Sequence, residues 1–432
     1  MKSNASKVLL TPIESNYYEL IQKSFDTFGG LESLIKGNVF IKFNGTMQFK
    51  SAIADPELIL SIIQVIQDHS SPKQIYVMEN PAVATFSRIV FQIEDLSKRV
   101  KHLGAKPLYL DEEKSTKVNF EGEVLDKPIA IPKILHENLI KRKDQNTYIN
   151  VAKLKAHVLS EMTCCIKNQH GLLYDEDKMY NHHLIHEKMV DIMNLFKPDF
   201  NIVDASSVVN YGPMAIFEDW EVPMNLIISG KDPVAVDTIC SDLIGIDDVK
   251  HVRLAAERGF GNNKRDRIEV LPSEDLIDQY RVKLSHKDIP NPIPPSVKIF
   301  KGKEKTCKSG CSFLEPVFMW FGNQTELSKC IGIYGKGHNI EELDIYDGPF
   351  IVNGPCAIEE LQDYFIQRQD EEDVEVHYIH EHLNIAEVGT ALRHAMKIPI
   401  SELKDLLPCS LAKMVALMFW AKFKGGKFIS IR

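Results

Sequence analysis

The stretch 147–168, TYINVAKLKAHVLSEMTCCIKN, concentrates groups that bind anions and move protons. Read as a strand, it alternates apolar Ala152, Leu154, Ala156 and Val158 with Lys153, Lys155 and His157, and side chains two apart on a strand share a face. Two ammonium groups and an imidazole then stand in a row, with no acidic residue between Lys153 and Glu161. Such a row has two explanations: an edge strand guarded by solvated lysines, or a seat for an anion. In Ile41-Lys42-Phe43-Asn44-Gly45 the same alternation puts Lys42 and Asn44 on one face, and Lys167-Asn168 can return to the same place from the segment that follows the lysine strand. Open α/β sheets bind ligands in a crevice outside the carboxyl ends of their strands. Lys42, Asn44, Lys153, Lys167 and Asn168 are therefore the expected substrate-binding set, joined by Lys155, and phosphate or carboxylate is the ligand that lysines suit.

The expected catalytic residues are His157, Lys155 and Asp204. Neighbouring ammonium groups disfavour a charged imidazole, which leaves His157 neutral and able to act as a base. Glu79 and Asp204 end other strands, and a carboxylate beside several ammonium groups stays charged. Asp204 can orient a lysine or accept a proton; it can equally cap the turn at Ala205-Ser206-Ser207. Asp232 reads as a helix cap, and Asp237 as a residue that could face the crevice.

The chain has eight cysteines. Cys164, Cys165 and Cys240 fall in apolar surroundings and read as buried thiols. Cys307, Cys311 and Cys356 fall after strands, and Cys330 opens one. Strand-end thiolates at one sheet edge could hold an iron–sulfur cluster or zinc, so Cys307, Cys311 and Cys356 form the expected metal set, with Cys330 ranked last because a parallel strand would start it at the opposite edge. The spacing matches no compact ferredoxin signature, and reactive thiols or inert cysteines are the competing readings. His182 and His186 have a helical metal-chelating spacing, but an ordinary, partly exposed helix face explains them more simply.

These residues need strands and helices to carry them. VFIKF (39–43), QIYVMEN (74–80), PLYLD (107–111), FNIVDA (200–205) and MNLIISG (224–230) read as strands, and helical patterns over 56–67, 86–103, 184–195 and from Pro233 onward alternate with several of them. That alternation predicts an α/β fold with a mostly parallel sheet. Residues 284–298 hold a cluster of prolines and read as a linker between a main domain, 1–283, and a smaller C-terminal α/β domain, 299–432. The final stretch, LAKMVALMFWAKFKGGKFISIR, is apolar and basic; docking on the protein's own core is expected, with membrane-surface contact as the alternative.

Composition bounds the function. A net charge of −9 argues against a general nucleic-acid binder, and 44% apolar with 26% charged residues is ordinary for a soluble globular protein. No stretch approaches the ~20 apolar residues of a spanning helix and no signal peptide is visible, so a cytoplasmic protein with reduced thiols is expected.

LKAHVLSEMTCCIKNQHGLL resembles the central motif of the domain-of-unknown-function family numbered 362, in which a Lys-x-His and a later Lys-Asn-x-x-Gly recur. VFIKFNG (39–45), DPELILSIIQVI (55–66), HEKMVDIMNLFKPDFNIVDA (186–205), SGKDPVAVDTICSDLIGI (229–246) and HVRLAAERGFG (251–261) resemble it too, so that the resemblance covers roughly residues 35–265. It implies a fold and a site at the recurrent Lys and His positions; it does not name a reaction. Some relatives carry an appended ferredoxin-type run of cysteines, which this chain lacks. The expectation is an enzyme acting on a small anionic substrate, an oxidoreductase if a cluster or metal is bound and an isomerase if not. The alternatives are a non-catalytic iron–sulfur electron-transfer or assembly protein with a redox partner, and an anion-sensing regulatory module.

Overall fold

The computed structural model describes residues 5–83, 85–213, 215, 217–287, 293–307, 311–322, 329–381, 385–397 and 408–429. They fall into two compact units, one of Met1–Asp177, His186–Lys287 and Leu407–Phe428, the other of Lys178–Ile185, Asp288–Leu406 and Ile429–Arg432. Residues 288–292 of the expected linker lie outside the described residues.

The first unit is built on β1 (Ser6–Pro12), β2 (Asn38–Phe43), β3 (Gln74–Glu79) and β4 (Lys106–Tyr109), then, beyond the separate antiparallel pair β5 (Ser115–Val118) and β6 (Ile129–Pro132), on β7 (Thr147–His157), β8 (Glu161–Thr163), β9 (Phe200–Val209), β10 (Glu221–Gly230) and β11 (Ile268–Leu271). The large sheet runs β11-β1-β10-β9-β7-β2-β3-β4, with β8 also paired to β7. The five strands from β9 to β4 are all parallel; β10 pairs antiparallel with both β9 and β1. The mostly parallel α/β architecture read from the sequence is thus present, and β1 is an addition the sequence reading did not anticipate.

The lysine strand β7 is central, flanked by β2 and β9, and every residue of Thr147–His157 is buried. The edge-strand explanation of its lysines is therefore wrong. Both faces are covered, as parallel sheets require. On one face Ile41, Phe43, Ile149, Val151, Phe200 and Ile202 pack with the apolar stripe of helix Pro56–His69, Leu58, Ile59, Ile62, Ile63 and Ile66. Local chemistry starts that helix where expected: the Asp55 side chain accepts the Glu57 N–H at 2.9 Å and Pro56 occupies the first turn. Helix Pro233–Ile244 begins the same way, with Asp232 accepting from Val234 and Ala235. The helix expected over 86–103 is instead broken into Ser87–Val90, Ile93–Asp95 and Leu96–His102, because Glu94 and Asp95 take positive φ of 48° and 55°.

The second unit holds a parallel sheet of β12 (Val297–Lys301), β13 (Cys330–Tyr334), β14 (Phe350–Asn353) and β15 (Val376–Ile379), in that order, with an apolar cluster on each face. The tail, read from the sequence as part of the C-terminal domain, packs with the first unit. Helix Leu411–Phe423 sets Met414, Leu417, Met418 and Ala421 against the main core, and Phe428 stacks on Phe86 at 5.1 Å. Among the described residues no helix is long and apolar enough to cross a membrane.

Phe428 is 5% exposed and also carries the Lys422 ammonium 3.8 Å from its ring centre. Phe428→Ala should destabilise the first unit by about 3 kcal/mol, the usual cost of emptying an aromatic core site, read as a lower midpoint of chemical denaturation.

Candidate functional site

The carboxyl edge of the parallel strands gathers four lysines and two buried carboxylates. Lys42 ends β2 and pairs with Glu79 at the end of β3 at 2.8 Å, both side chains being at most 3% exposed. Removing either partner of such a pair leaves a buried charge and typically costs about 3–5 kcal/mol. Lys42 also donates to Asn168 Oδ1 at 2.7 Å and to the Phe43 carbonyl at 2.9 Å. Asn168 in turn donates to Asn150 Oδ1 at 2.8 Å and accepts from Asn44 at 3.3 Å. Asn168 therefore ties β2, β7 and the short helix Cys165–Asn168 together.

Gly171 explains the spacing of Lys167-Asn168-Gln169-His170-Gly171. A Cβ at Gly171 would lie 2.5 Å from Glu79 Oε1 and 2.8 Å from Lys42 Nζ. The last residue of the motif is glycine because the ion pair presses against its backbone.

Lys153 belongs to a second arrangement. β7 registers Asn150 against Lys42 and Lys153 against Asp204. Registered residues share a face and residues three apart do not, so Lys42 and Lys153 stand on opposite faces of the sheet. These two lysines approach the carboxyl edge from opposite faces. Lys153 Nζ donates to Asp204 Oδ2 and Ser207 Oγ, each at 3.1 Å. Asp204 also accepts from the Asp55 N–H at 2.8 Å, the Ser206 N–H at 3.0 Å and the Ser206 hydroxyl at 2.6 Å. Burial opposes its charge, but Lys153 and these donors prevail and hold the carboxyl below its ordinary pKa. A carboxylate so fully occupied is a counterion and a turn anchor, and a poor base.

Lys155 bridges the two arrangements at the strand end. It is fully buried and its Nζ reaches Asn44 Oδ1 at 2.9 Å, the Ala52 carbonyl at 3.1 Å and Thr46 Oγ1 at 3.4 Å. No carboxylate is among these partners. Burial, then the charges of Lys167 and Lys153, push its pKa well below the ordinary lysine value, with Glu79 opposing. The partner set suits a neutral amine, which gives two hydrogens to carbonyl-type oxygens and can accept one from a hydroxyl. Lys167 is partly buried and makes no hydrogen bond or ion pair with a described residue; burial and Lys42 lower its pKa to about 8.

His157 is 5% exposed, and its Nδ1 accepts the Leu159 N–H at 3.1 Å and the Ser160 N–H at 3.4 Å. The ring proton is then on Nε2, and the lone pair a general base would use is committed to the β7–β8 turn.

The sequence reading missed His251, which pairs with His186. Their rings stack at 5.6 Å on helices Lys250–Glu257 and Ile185–Leu195. Both nitrogens of buried His251 and Nδ1 of His186 lack hydrogen-bond partners. His182 sits in the 3₁₀ turn His182–Leu184, and His186 on the helix that starts at Ile185.

Of the expected metal set, Cys307, Cys311 and Cys356 fall near one another, and Cys330, ranked last, stands apart. Cys330 opens β13 opposite Val297, at the amino edge of the sheet, whereas Cys311 lies by Gly354 and Asn353 at the carboxyl edge, near Cys307 and Cys356. Parallel strands put the beginning of one and the ends of its neighbours on opposite edges, which separates Cys330 from the other three. Burial pushes the Cys311 and Cys330 thiols up to about 12. Among the described residues, the group of three metal-ligand side chains whose donor atoms lie within 4.8 Å of one another is Cys164, Cys165 and Asp237, all buried. Asp237 does not face the lysines: it accepts the Cys165 N–H at 2.8 Å and the Ile166 N–H at 3.0 Å.

Gly171→Ala should cost about 1–3 kcal/mol, the usual range for overpacking a filled site, measured by chemical denaturation. Acid should also destabilise the protein through His186. Burial, then Lys250, depress its pKa from 6.5 to about 4. A folded state that resists protonation loses stability as pH falls from about 6.5 towards 4, because the unfolded chain binds the proton first. His186→Phe should flatten that part of the stability–pH curve by up to about 3 kcal/mol.

No curated protein matches the chain. A structural-genomics crystal structure of a protein from Thermotoga maritima is similar at 12% identity and a TM-score of 0.32, over 66% of this chain and 64% of that one, so this chain spans just under two thirds of that protein's length. Residues 34–242, which run from the approach to β2 through most of helix Pro233–Ile244 and carry all four lysines, match the model of the family described as Domain of unknown function (DUF362).

Proposed function

We propose that the chain is an enzyme acting on a small anionic substrate, a carboxylate or phosphate, at the carboxyl edge of the large sheet. One observation carries this reading: of the four lysines there, Lys42 and Lys153 have carboxylate partners, Glu79 and Asp204, while Lys155 and Lys167 have none among the described residues. A buried edge that brings four lysines together with only two carboxylates favours an incoming anion. In this reading Lys167 contacts the anion, and the paired Lys42 and Lys153 add their field. Asn44 and Asn168 hold the lysines in place. Lys155, uncharged, is the proton-transfer group. The role first given to His157 passes to it, because a buried amine among cations keeps the lone pair that the turn takes from His157. Asp204 holds the Lys153 ammonium in place. Proton transfer beside a bound carboxylate is the chemistry of isomerisation and racemisation.

The second reading, an iron–sulfur electron carrier or assembly protein with a redox partner, would use Cys307, Cys311 and Cys356. Cys311 lies near the other two, but among the described residues these three sulfurs do not fall within 4.8 Å of one another.

Thermal denaturation with phosphate and a panel of small carboxylates tests the proposal. A ligand at a hundredfold excess over its Kd should add about 2.7 kcal/mol to stability, a shift of several degrees. Lys155→Met and Lys167→Met should each remove the shift while near-ultraviolet circular dichroism stays native. A wild type indifferent to every anion would refute the site. A shift that survives both substitutions would place binding elsewhere.

A further inference from the structure

The three buried cysteines that the anion site does not use share one place with a carboxylate. Cys164 and Cys165 precede Lys167, and Asp237 and Cys240 lie three apart on one face of helix Pro233–Ile244. The Cys164 and Cys165 sulfurs are 4.0 Å apart and Asp237 offers an oxygen within 4.8 Å of both, while Cys240 stands one helical turn beyond Asp237, outside that group of three. All four residues are completely buried.

We propose that Cys164, Cys165, Cys240 and Asp237 bind a thiophilic divalent metal, with zinc the best fit, as a closed structural site. Tetrahedral zinc–sulfur bonds of about 2.3 Å put two sulfurs about 3.8 Å apart, close to the spacing found. Each Asp237 oxygen receives one backbone N–H and keeps a lone pair for a metal. Thiolates select zinc over magnesium or calcium. Three ligands stand together, and Cys240, drawn in on binding, completes a set of four with no exposed surface and no open position for substrate, which marks a structural centre and not a catalytic one. On binding, the thiols lose their protons to solvent and the metal charge offsets the thiolates and carboxylate, which could not all be ionised in that interior without it.

The function of such a centre follows from where its ligands attach. It fastens the turn that presents Lys167 and Asn168 onto helix Pro233–Ile244. Asn150 supports the same turn from the sheet, donating to the Cys165 carbonyl at 3.2 Å. Loss of the metal would loosen the turn while leaving the ion pairs of Lys42 and Lys153 in place.

The experiment uses the full chain carrying Cys307→Ser, Cys311→Ser and Cys356→Ser, so that those thiols contribute nothing. Protein expressed in zinc-supplemented medium and purified anaerobically should contain about one zinc per chain. Refolding with Co²⁺ in place of zinc should give the visible bands of a tetrahedral site and thiolate-to-cobalt charge-transfer absorption of three-sulfur strength. That spectrum needs no substitution at the site itself. Cys165→Ser and Cys240→Ala, where they fold, should lose at least tenfold in metal affinity. Stripping the metal should lower the thermal midpoint by several degrees. A folded protein that neither retains zinc nor develops cobalt–thiolate absorption overturns the proposal. So does absorption that persists undiminished in folded Cys165→Ser and Cys240→Ala.

Discussion

The structure depends on burying lysines at the edge of a parallel sheet. An ammonium group taken out of water is tolerated when a carboxylate or a full set of hydrogen-bond acceptors replaces the solvent. Glu79 does this for Lys42 on one face, and Asp204 does it for Lys153 on the other. Each carboxylate also receives backbone N–H groups, from Gly45 and Asn80 in one case and from Asp55 and Ser206 in the other. The ion pairs therefore fix loops as well as charges. The loop that follows β2 is held by Glu79, and the start of helix Pro56–His69 is held by Asp204. Lys155 is the exception, because it is buried against neutral oxygens alone and gives up its proton more readily than an ordinary lysine.

Several neighbouring features answer to the same constraint. Asn168 satisfies Lys42 from the side that Glu79 leaves open, and it can do so only if the turn before it is held close to β7. Asn150 and Asp237 supply that hold, through the Cys165 carbonyl and the Cys165 and Ile166 N–H groups. Gly171 lets the chain pass directly over the ion pair. The buried thiols and the lysine edge are thus two ends of one short segment, and a change at either end reaches the other through a few residues of backbone.

The C-terminal cysteines show how strand direction decides what chemistry is available. Cys330 and Cys311 are both buried, yet one opens a strand and the other follows one. In a parallel sheet those positions lie on opposite edges however near they are in sequence. The tail makes a related point. Its helix is apolar enough to suggest a membrane, and its buried side is spent on the core around Phe86, although Phe419, Trp420 and Phe423 stay exposed.

The sequence by itself determined the elements and their polarity. The caps at Asp55-Pro56 and Asp232-Pro233, the apolar stripe of helix Pro56–His69 and the strands β2, β3, β7 and β9 follow from backbone geometry and side-chain periodicity, which act over a few residues. It also marked Lys42, Lys155, Lys167 and Asn168 as unusual, and Glu79 and Asp204 as their partners. Only the tertiary structure decided which lysines are neutralised and on which face. That depends on strand order and on the register that sets Lys42 against Asn150 and Lys153 against Asp204, and alternation within one strand carries no information about its neighbours. The engagement of His157 Nδ1 by a turn, the stacking of His186 on His251 and the meeting of Asp237 with Cys164 and Cys165 were hidden for the same reason. Contacts between residues far apart in the chain are set by how elements pack, and their chemistry is legible only once packing has chosen the neighbours.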